Sequence, residues 1–444
     1  VRKYGTISGI VPFHEDIMVA FQTNGLIRLR MSQKYAEEVV NRNIRIFAIY
    51  NDPRQGVLWI GSDGQGAIMY SRKYSIATNV MLNSLSPNLS RQVRSVLTDK
   101  YGGLWFGTKG DGLLHIRNYR DGVQVANAEI YSPDGKQNVS SYVKLDREFQ
   151  VYAMTESRYM NGFWIGTGSS SGLCYYSFDD GRLHELTLEK TQEIDEVHSI
   201  FEANDTTLYV ASSGSGFCKV ILDKGKPGDI RIKSSKHYRF FYEQQELNLF
   251  YSMVSEGDSL LWLGRETDEY QIYSLNEMLH KSVDDILCLH WYKKDQLYVG
   301  TTSGLVRVTF RGRKLEADYI GREHGLLNDM IHSILEDDNG LLWLGTNRGL
   351  IKFNPDNSFS HAYYYSGGIQ IGEFSDAYYH CPYTGNLFFG GIDGLLYLDK
   401  KVSAVPEYYP EILLRKLVIE KTSVNLQDHY LPDRKGLEMK GAKV

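Results

Sequence analysis

Short apolar runs separated by polar, glycine-bearing turns recur along this chain. In residues 331–353, IHSILEDDNGLLWLGTNRGLIKF, an apolar run ending at Leu335 meets the turn Asp337-Asp338-Asn339-Gly340. Asn and Gly supply the positive φ that a tight hairpin needs. The next run, Leu341-Leu342-Trp343-Leu344-Gly345, is nearly all apolar rather than alternating. Such a run predicts a strand packed on both faces. Gly345 predicts close approach of a neighbouring sheet, where a side chain would clash. A second turn, Thr346-Asn347-Arg348-Gly349, leads to a third apolar strand, and a more polar fourth strand is predicted over 359–365.

The unit is a repeat. Its other clear copy is VRSVLTDKYGGLWFGTKGDGLLHI at 93–116, with weaker copies at 45–70, 151–176, 197–220, 249–273, 285–308 and 375–398. A degenerate copy lies at 16–29. The central large residues are Met18, Trp59, Trp105, Trp164, Tyr209, Trp262, Tyr298, Trp343 and Phe388, commonly about 45 residues apart. That period is the size of a four-stranded propeller blade. The predicted fold is therefore all-β, a β-propeller of four-stranded antiparallel blades with partial flanking units.

Nine copies exceed the usual four to eight blades. The last seven, Trp105 to Phe388, predict a seven-bladed ring over 89–404. Residues 1–88 would then be the last blades of a preceding propeller, or extra blades of the same ring. An eight-bladed ring starting near residue 44 is the alternative. After Leu398 the pattern changes, and VPEYYPE opens a linker and a different unit over 405–444. The long steps predict insertions after 116 and 220, and the short step predicts a reduced outer strand in the blade of Trp262.

Charge and composition narrow the function. A net charge of −5 argues for neither a nucleic-acid partner nor a membrane surface. No run of 18 apolar residues spans a membrane, and a chain opening on Val1 reads as a segment of something longer. The four cysteines form no CxxC pair, and Cys174 and Cys218 are expected to be free buried thiols. The sequence carries no HExxH, P-loop or calcium-loop spacing, so no metal, cofactor or catalytic residue is assigned. Gly168-Ser169-Ser170-Ser171-Gly172 matches a nucleophile pattern but falls in a turn between strands rather than at a strand-to-helix elbow. His115, His290 and His332 read as packed core histidines. The basic stretch from Lys219 to Arg239 reads as an outer strand using lysine against edge pairing, with a sulfated or uronic polysaccharide as the alternative partner.

Propellers usually bind on the face made by the turns between second and third strands and by the links between blades. That places Lys109, Asp111, Arg265, Glu266, Asn347, Arg348 and Asp393 near one rim, with Tyr364 as a stacking ring.

The D-x-x-G-x-L-W-x-G-T-x-x-G-L frame at 93–116 and 331–353 resembles the regulator-propeller repeat of bacterial sensor proteins. The run from GREHGLLNDM through LFFGGIDGLLYL and the proline linker to EILLRKLVIEKTSVNL is similar to the end of the second propeller in periplasmic sensor regions of Bacteroidetes hybrid two-component histidine kinases. The resemblance implies two seven-bladed propellers, an immunoglobulin-like domain, a membrane helix, a kinase and output modules. It also implies a periplasmic location in an inner-membrane protein, an oligosaccharide ligand and a homodimeric receptor. Most of a first propeller and every output domain lie outside this sequence. The expected function is thus a ligand-binding sensor segment that touches nucleic acid nowhere and the membrane only through missing parts. A protein-interaction scaffold is the alternative. A polysaccharide lyase or glycosidase is the third reading, and it would need a Tyr, His and Arg cluster or paired carboxylates at the ring axis. No such cluster at a repeated position is evident in the sequence.

Overall fold

The computed structural model describes residues 4–41, 44–52, 57–64, 66–71, 76–121, 125–143, 148–168, 172–188, 194–213, 216–225, 229–238, 240–242, 245–247, 250–251, 254–255, 260–264, 270–283, 285–312, 314–364, 368–400, 416–419, 422–425, 438–439 and 442–443. Side chains are described mainly to Tyr238 and from Tyr273 to Lys400. Two compact units emerge, one of residues 1–72 with 405–444 and one of 73–404.

The larger unit is a seven-bladed β-propeller. Its innermost strands, from blade 1 to blade 7, include Val93–Thr98, Phe149–Glu156, Val197–Asn204, Ile286–Tyr292, Ile331–Glu336 and Phe374–His380. Blade 4 lies between the third and fourth of these, with strands Phe250–Tyr251, Val254–Ser255, Leu260–Gly264 and Tyr270–Ser274. Within blades 1 to 6 the successive blade strands pair antiparallel in chain order.

The repeated frame has a physical basis, seen most fully in blades 1 and 6. Asp99 Oδ1 accepts the amides of Tyr101 (2.9 Å) and Gly103 (2.8 Å), and its Oδ2 accepts Trp105 Nε1 at 2.6 Å. Asp337 repeats this with Asn339, Leu341 and the Trp343 indole. The carboxylate thereby closes the first hairpin and pins the central tryptophan, whose ring is buried. In the second turn, the Thr108, Thr301 and Thr346 hydroxyls donate to the carbonyls of Gly112, Gly304 and Gly349 at 2.8–2.9 Å. The glycine after the central aromatic serves blade stacking, since a methyl at Gly107 would overlap Val151 of the next blade.

The ring closes between blades 7 and 1. Ser375 Oγ donates to Val93 O at 2.5 Å, and Tyr379 OH donates to Thr98 O at 3.4 Å. The outer strand of blade 7 comes from the other end of the unit: Ala77–Met81 pairs antiparallel with Gly394–Leu398. The ring thus begins earlier than residue 89, where the repeat pattern alone placed it. The strand ATNVM is too short and too polar to announce itself, but it covers an edge that would otherwise be open.

The irregular spacings map to real insertions. Blade 1 carries a fifth strand, Gly135–Asn138. Blade 3 has a long outer strand, Ile230–Tyr238, flanked in parallel by Thr187–Leu188 and followed by a hairpin of Phe240–Tyr242 and Gln245–Leu247. Blade 4 runs from Tyr270–Ser274 into the helix Leu275–Leu279 in place of an outer strand. The basic stretch after Lys219 occupies the third and outer strands of blade 3, with Lys233 and Lys236 exposed. All four cysteines are free and buried.

The smaller unit holds a four-stranded antiparallel sheet over 7–41 and a sheet of three strands over 46–71. They share a core that includes Phe13, Met18, Leu26, Ile46, Leu58 and Ile60. Two short antiparallel pairs, Lys416–Ile419 with Thr422–Asn425 and Glu438–Met439 with Ala442–Lys443, lie beyond residue 415. Among the described residues no helix is long and apolar enough to cross a membrane.

Candidate ligand site at the ring axis

One irregularity recurs at the same place in the innermost strands. In blade 1 Val93 pairs Thr108 and Ser95 pairs Gly107, so Arg94 is left unpaired as a β-bulge. The same slip falls at Tyr152 in blade 2, His198 in blade 3, Leu287 in blade 5 and His332 in blade 6. In blade 7 the register shifts between Phe374 and Tyr378, a stretch that contains Asp376. A bulge bends the strand and re-aims the side chain. Repeated in these six blades, it re-aims one residue of each at the inner end of the blade.

The side chains meet there. Arg94 Nη2 lies 3.2 Å from Asp376 Oδ2, and His332 Nδ1 lies 3.4 Å from Asp376 Oδ1. The Arg94 guanidinium stands 6.0 Å from the centre of the Tyr152 ring, which sits 4.5 Å from the His198 ring. The contacts run without a break through blades 6, 7, 1, 2 and 3. Their polar groups are mostly buried, yet Asp376 and Arg94 keep 32% and 16% of their side chains exposed, enough to reach a ligand. His332 Nε2 is buried without a partner. An orphan polar atom of this kind costs about 1–3 kcal/mol, which a ligand or water would offset.

The charges are set by these neighbours. Burial lowers the His198 imidazole to about 4, with the positive charges of Arg94 and Lys109 adding to it and Glu196 opposing. The ring is therefore neutral near pH 7, offering one donor and one acceptor. Burial works to raise the Asp376 carboxyl, but the hydrogen bond from His332 and the Arg94 charge outweigh it, and the group stays ionised. The axis thus presents a guanidinium, a carboxylate, a phenol and two imidazoles, all planar and spaced for hydrogen bonding. Among the described residues no group of three or more His, Cys, Asp or Glu side chains converges to hold a metal.

The expected rim residues are dispersed around this centre. Lys109 is exposed at the end of its strand, its backbone pairs with Gln150 of blade 2, and its charge reaches His198. Asp111 is 1% exposed, and its carboxylate accepts the amides of Ser90 (2.9 Å) and Arg91 (2.8 Å) in the link leading into blade 1. Its position is that of a structural cap. Asn347 and Arg348 are exposed in the second turn of blade 6, with the Tyr364 ring against Gly349 of that turn. Asp393 is exposed in blade 7, where its carbonyl accepts the amide of Leu82. Arg265 and Glu266 lie outside the described residues, as do Ser169, Ser170 and Ser171 of the nucleophile-like turn.

The structure brings together at the axis a Tyr, His and Arg cluster that was not evident at a repeated position in the sequence. It was hidden because the residue type changes from blade to blade (Arg, Tyr, His, Leu, His, Asp) while the position stays fixed. The signal was available in V-x-S and I-x-S, where x precedes the small residue facing the blade's glycine. His332 is packed as expected, and its Nδ1 also holds Asp376 Oδ1 at 3.4 Å.

Comparison with known proteins fits this architecture. Residues 89–110 and 325–348 match the model of the two-component regulator propeller, and these segments cover the frame of blades 1 and 6. The chain is 22% identical over 383 residues to histidine kinase P4 of Formosa agariphila, covering 81% of this chain and 26% of that one. Its fold is similar to the extracellular domain of a putative hybrid two-component system from B. thetaiotaomicron (TM-score 0.60, 21% identity, 95% of this chain and 56% of that one). A second such domain from the same organism gives a TM-score of 0.55 at 16% identity, covering 97% of this chain and 58% of that one. Two segments of the chain thus match the two-component regulator propeller, and the chain spans about a quarter of the curated kinase and just over half of each solved domain.

Proposed function

We propose that this chain, built from regulator-propeller blades, is part of the periplasmic sensor region of a two-component histidine kinase and binds an oligosaccharide at the axis of its ring. The observation that carries the ligand reading is the arc Arg94–Tyr152–His198–His332–Asp376, where planar polar groups meet on one face. Such groups suit hydroxyl and carboxylate recognition. The exposed turn residues Lys109, Asn347, Arg348, Tyr364 and Asp393 extend this face outward. In this reading residues 1–72 belong to a preceding propeller and the strands beyond 415 begin an immunoglobulin-like domain. The receptor would signal as a homodimer, with the kinase and the membrane helix in other parts of it. Binding transmits a signal only if the ligand favours one arrangement of these parts over another.

The test is calorimetric titration of the chain against defined neutral, uronic and sulfated oligosaccharides, with the products checked for cleavage. Saturable binding of one class without turnover supports the proposal. Cleavage favours the lyase or glycosidase reading, since a Tyr, His and Arg cluster does occupy the axis. No binding across the panel favours a protein partner.

A further inference from the structure

A cavity lies away from the axial arc, over the central tryptophan of blade 1. Its volume is about 270 Å³, and Tyr101, Trp105, His115, Arg117, Asn118 and Phe178 line it. The corresponding place over Trp343, between blades 6 and 7, holds only about 10 Å³. The frame explains the difference. There Lys400 of blade 7 spans to Asp338 of blade 6 and closes the space. Register puts Phe178 of blade 2 where blade 7 has Lys400, and Lys100 where blade 6 has Asp338. Phe178 therefore cannot form the bridge; it stands edge-on to Tyr101 at 5.3 Å, and Lys100 turns to Asn161.

The residue paired across from the tryptophan also differs. Blade 6 has Lys352, whose ammonium lies 5.4 Å over the Trp343 ring. Blade 1 has His115, which stacks flat on Trp105 at 3.8 Å with 8° between the planes. The shorter imidazole leaves room above it, and its buried Nδ1 makes no hydrogen bond but faces Glu129 Oε2 at 4.0 Å. Tyr101 is 62% exposed, a ring face open to a ligand. Arg117 and Asn118 are exposed at the rim, and Asn118 holds a left-handed φ of 50° that directs the chain past the opening.

We infer that this cavity is a second carbohydrate subsite, separate from the axis, which takes a single pyranose ring. Its volume of about 270 Å³ suits one ring. Aromatic walls meet the C–H face of a sugar, while Asn118 and Arg117, whose guanidinium pairs with Glu129 at 2.9 Å, meet its hydroxyls. The choice of sugar as ligand class rests on the carbohydrate reading above; the cavity itself does not.

Saturation-transfer NMR with methyl glycosides of neutral hexoses, N-acetylhexosamines and uronic acids tests this directly. His115→Lys installs the residue that blade 6 carries, and is expected to reduce transfer at least tenfold. Asn118→Gly keeps the left-handed backbone without strain and removes the rim amide; several-fold weaker binding is expected. Arg311→Ala, at an exposed residue of blade 5 that belongs to neither site, is expected to leave the signal unchanged. Failure of every glycoside to bind overturns the inference, as does binding that survives His115→Lys or is lost equally in Arg311→Ala. Loss of axial oligosaccharide binding alone would count against the proposed function and leave this subsite standing.

Discussion

Replacing Asp99 with Ala removes one acceptor from three donors at once. Two of them, the Gly103 amide at 2.8 Å and Trp105 Nε1 at 2.6 Å, are buried hydrogen bonds; the Tyr101 amide is partly buried. Each buried donor left unpaired costs about 1–3 kcal/mol, and bonds to a carboxylate lie toward the upper end. The expected loss is about 3–5 kcal/mol, because Trp105 is 1% exposed and water has no easy access to its indole. With an m-value of roughly 3 kcal/mol per M, the urea midpoint would fall by about 1–2 M at unchanged slope. A double-mutant cycle with Trp105→Phe isolates the indole bond, with an expected coupling of about 1.5–3 kcal/mol. A loss below about 0.5 kcal/mol, or no coupling, would refute the claim that the frame's aspartate organises the hairpin.

Three further outcomes are expected. Burial lowers the imidazoles of both His115 and His198 to about 4. The unfolded chain takes up these protons near pH 6.5 while the folded chain refuses them, so stability is intact above that pH and falls as pH drops toward 4. Each histidine accounts for roughly 3 kcal/mol over that window, and His115→Gln or His198→Gln should flatten the curve of urea midpoint against pH. Gly107→Ala drives a methyl into Val151 and Ser95, and should cost about 1–3 kcal/mol or more in chemical denaturation. The four cysteines are buried and burial pushes the Cys218 thiol up to about 12, so a thiol reagent should label almost none in the native chain and all four in denaturant.

The blade architecture was readable because its cause is local. In blades 1 and 6 Asp, Gly, Trp and Thr stand at fixed offsets, close two turns and bury one ring, and those bonds form inside each of these two copies. The count of seven followed from copies whose spacing the ring tolerates. What sequence could not reveal depends on long-range pairing. The strand Ala77–Met81 joins Gly394–Leu398 across more than 300 residues and carries no frame of its own. The axial arc escaped notice for a related reason. Bulge residues answer to the axis they share rather than to their own blade, so their identities vary while their register does not. Asp111 shows the converse error: an acid between two glycines looks like solvated turn charge, yet it is buried under the backbone amides of Ser90 and Arg91.

The most direct test of the axial site is the dissociation constant of the tightest oligosaccharide for the native chain and for His332→Leu. Leucine is what blade 5 already carries at this bulge, as Leu287, so the fold has a precedent for it. The account predicts affinity at least tenfold weaker, because His332 both braces Asp376 and offers its unpaired nitrogen. Unchanged affinity in a folded His332→Leu chain would contradict it and move the ligand away from the axis.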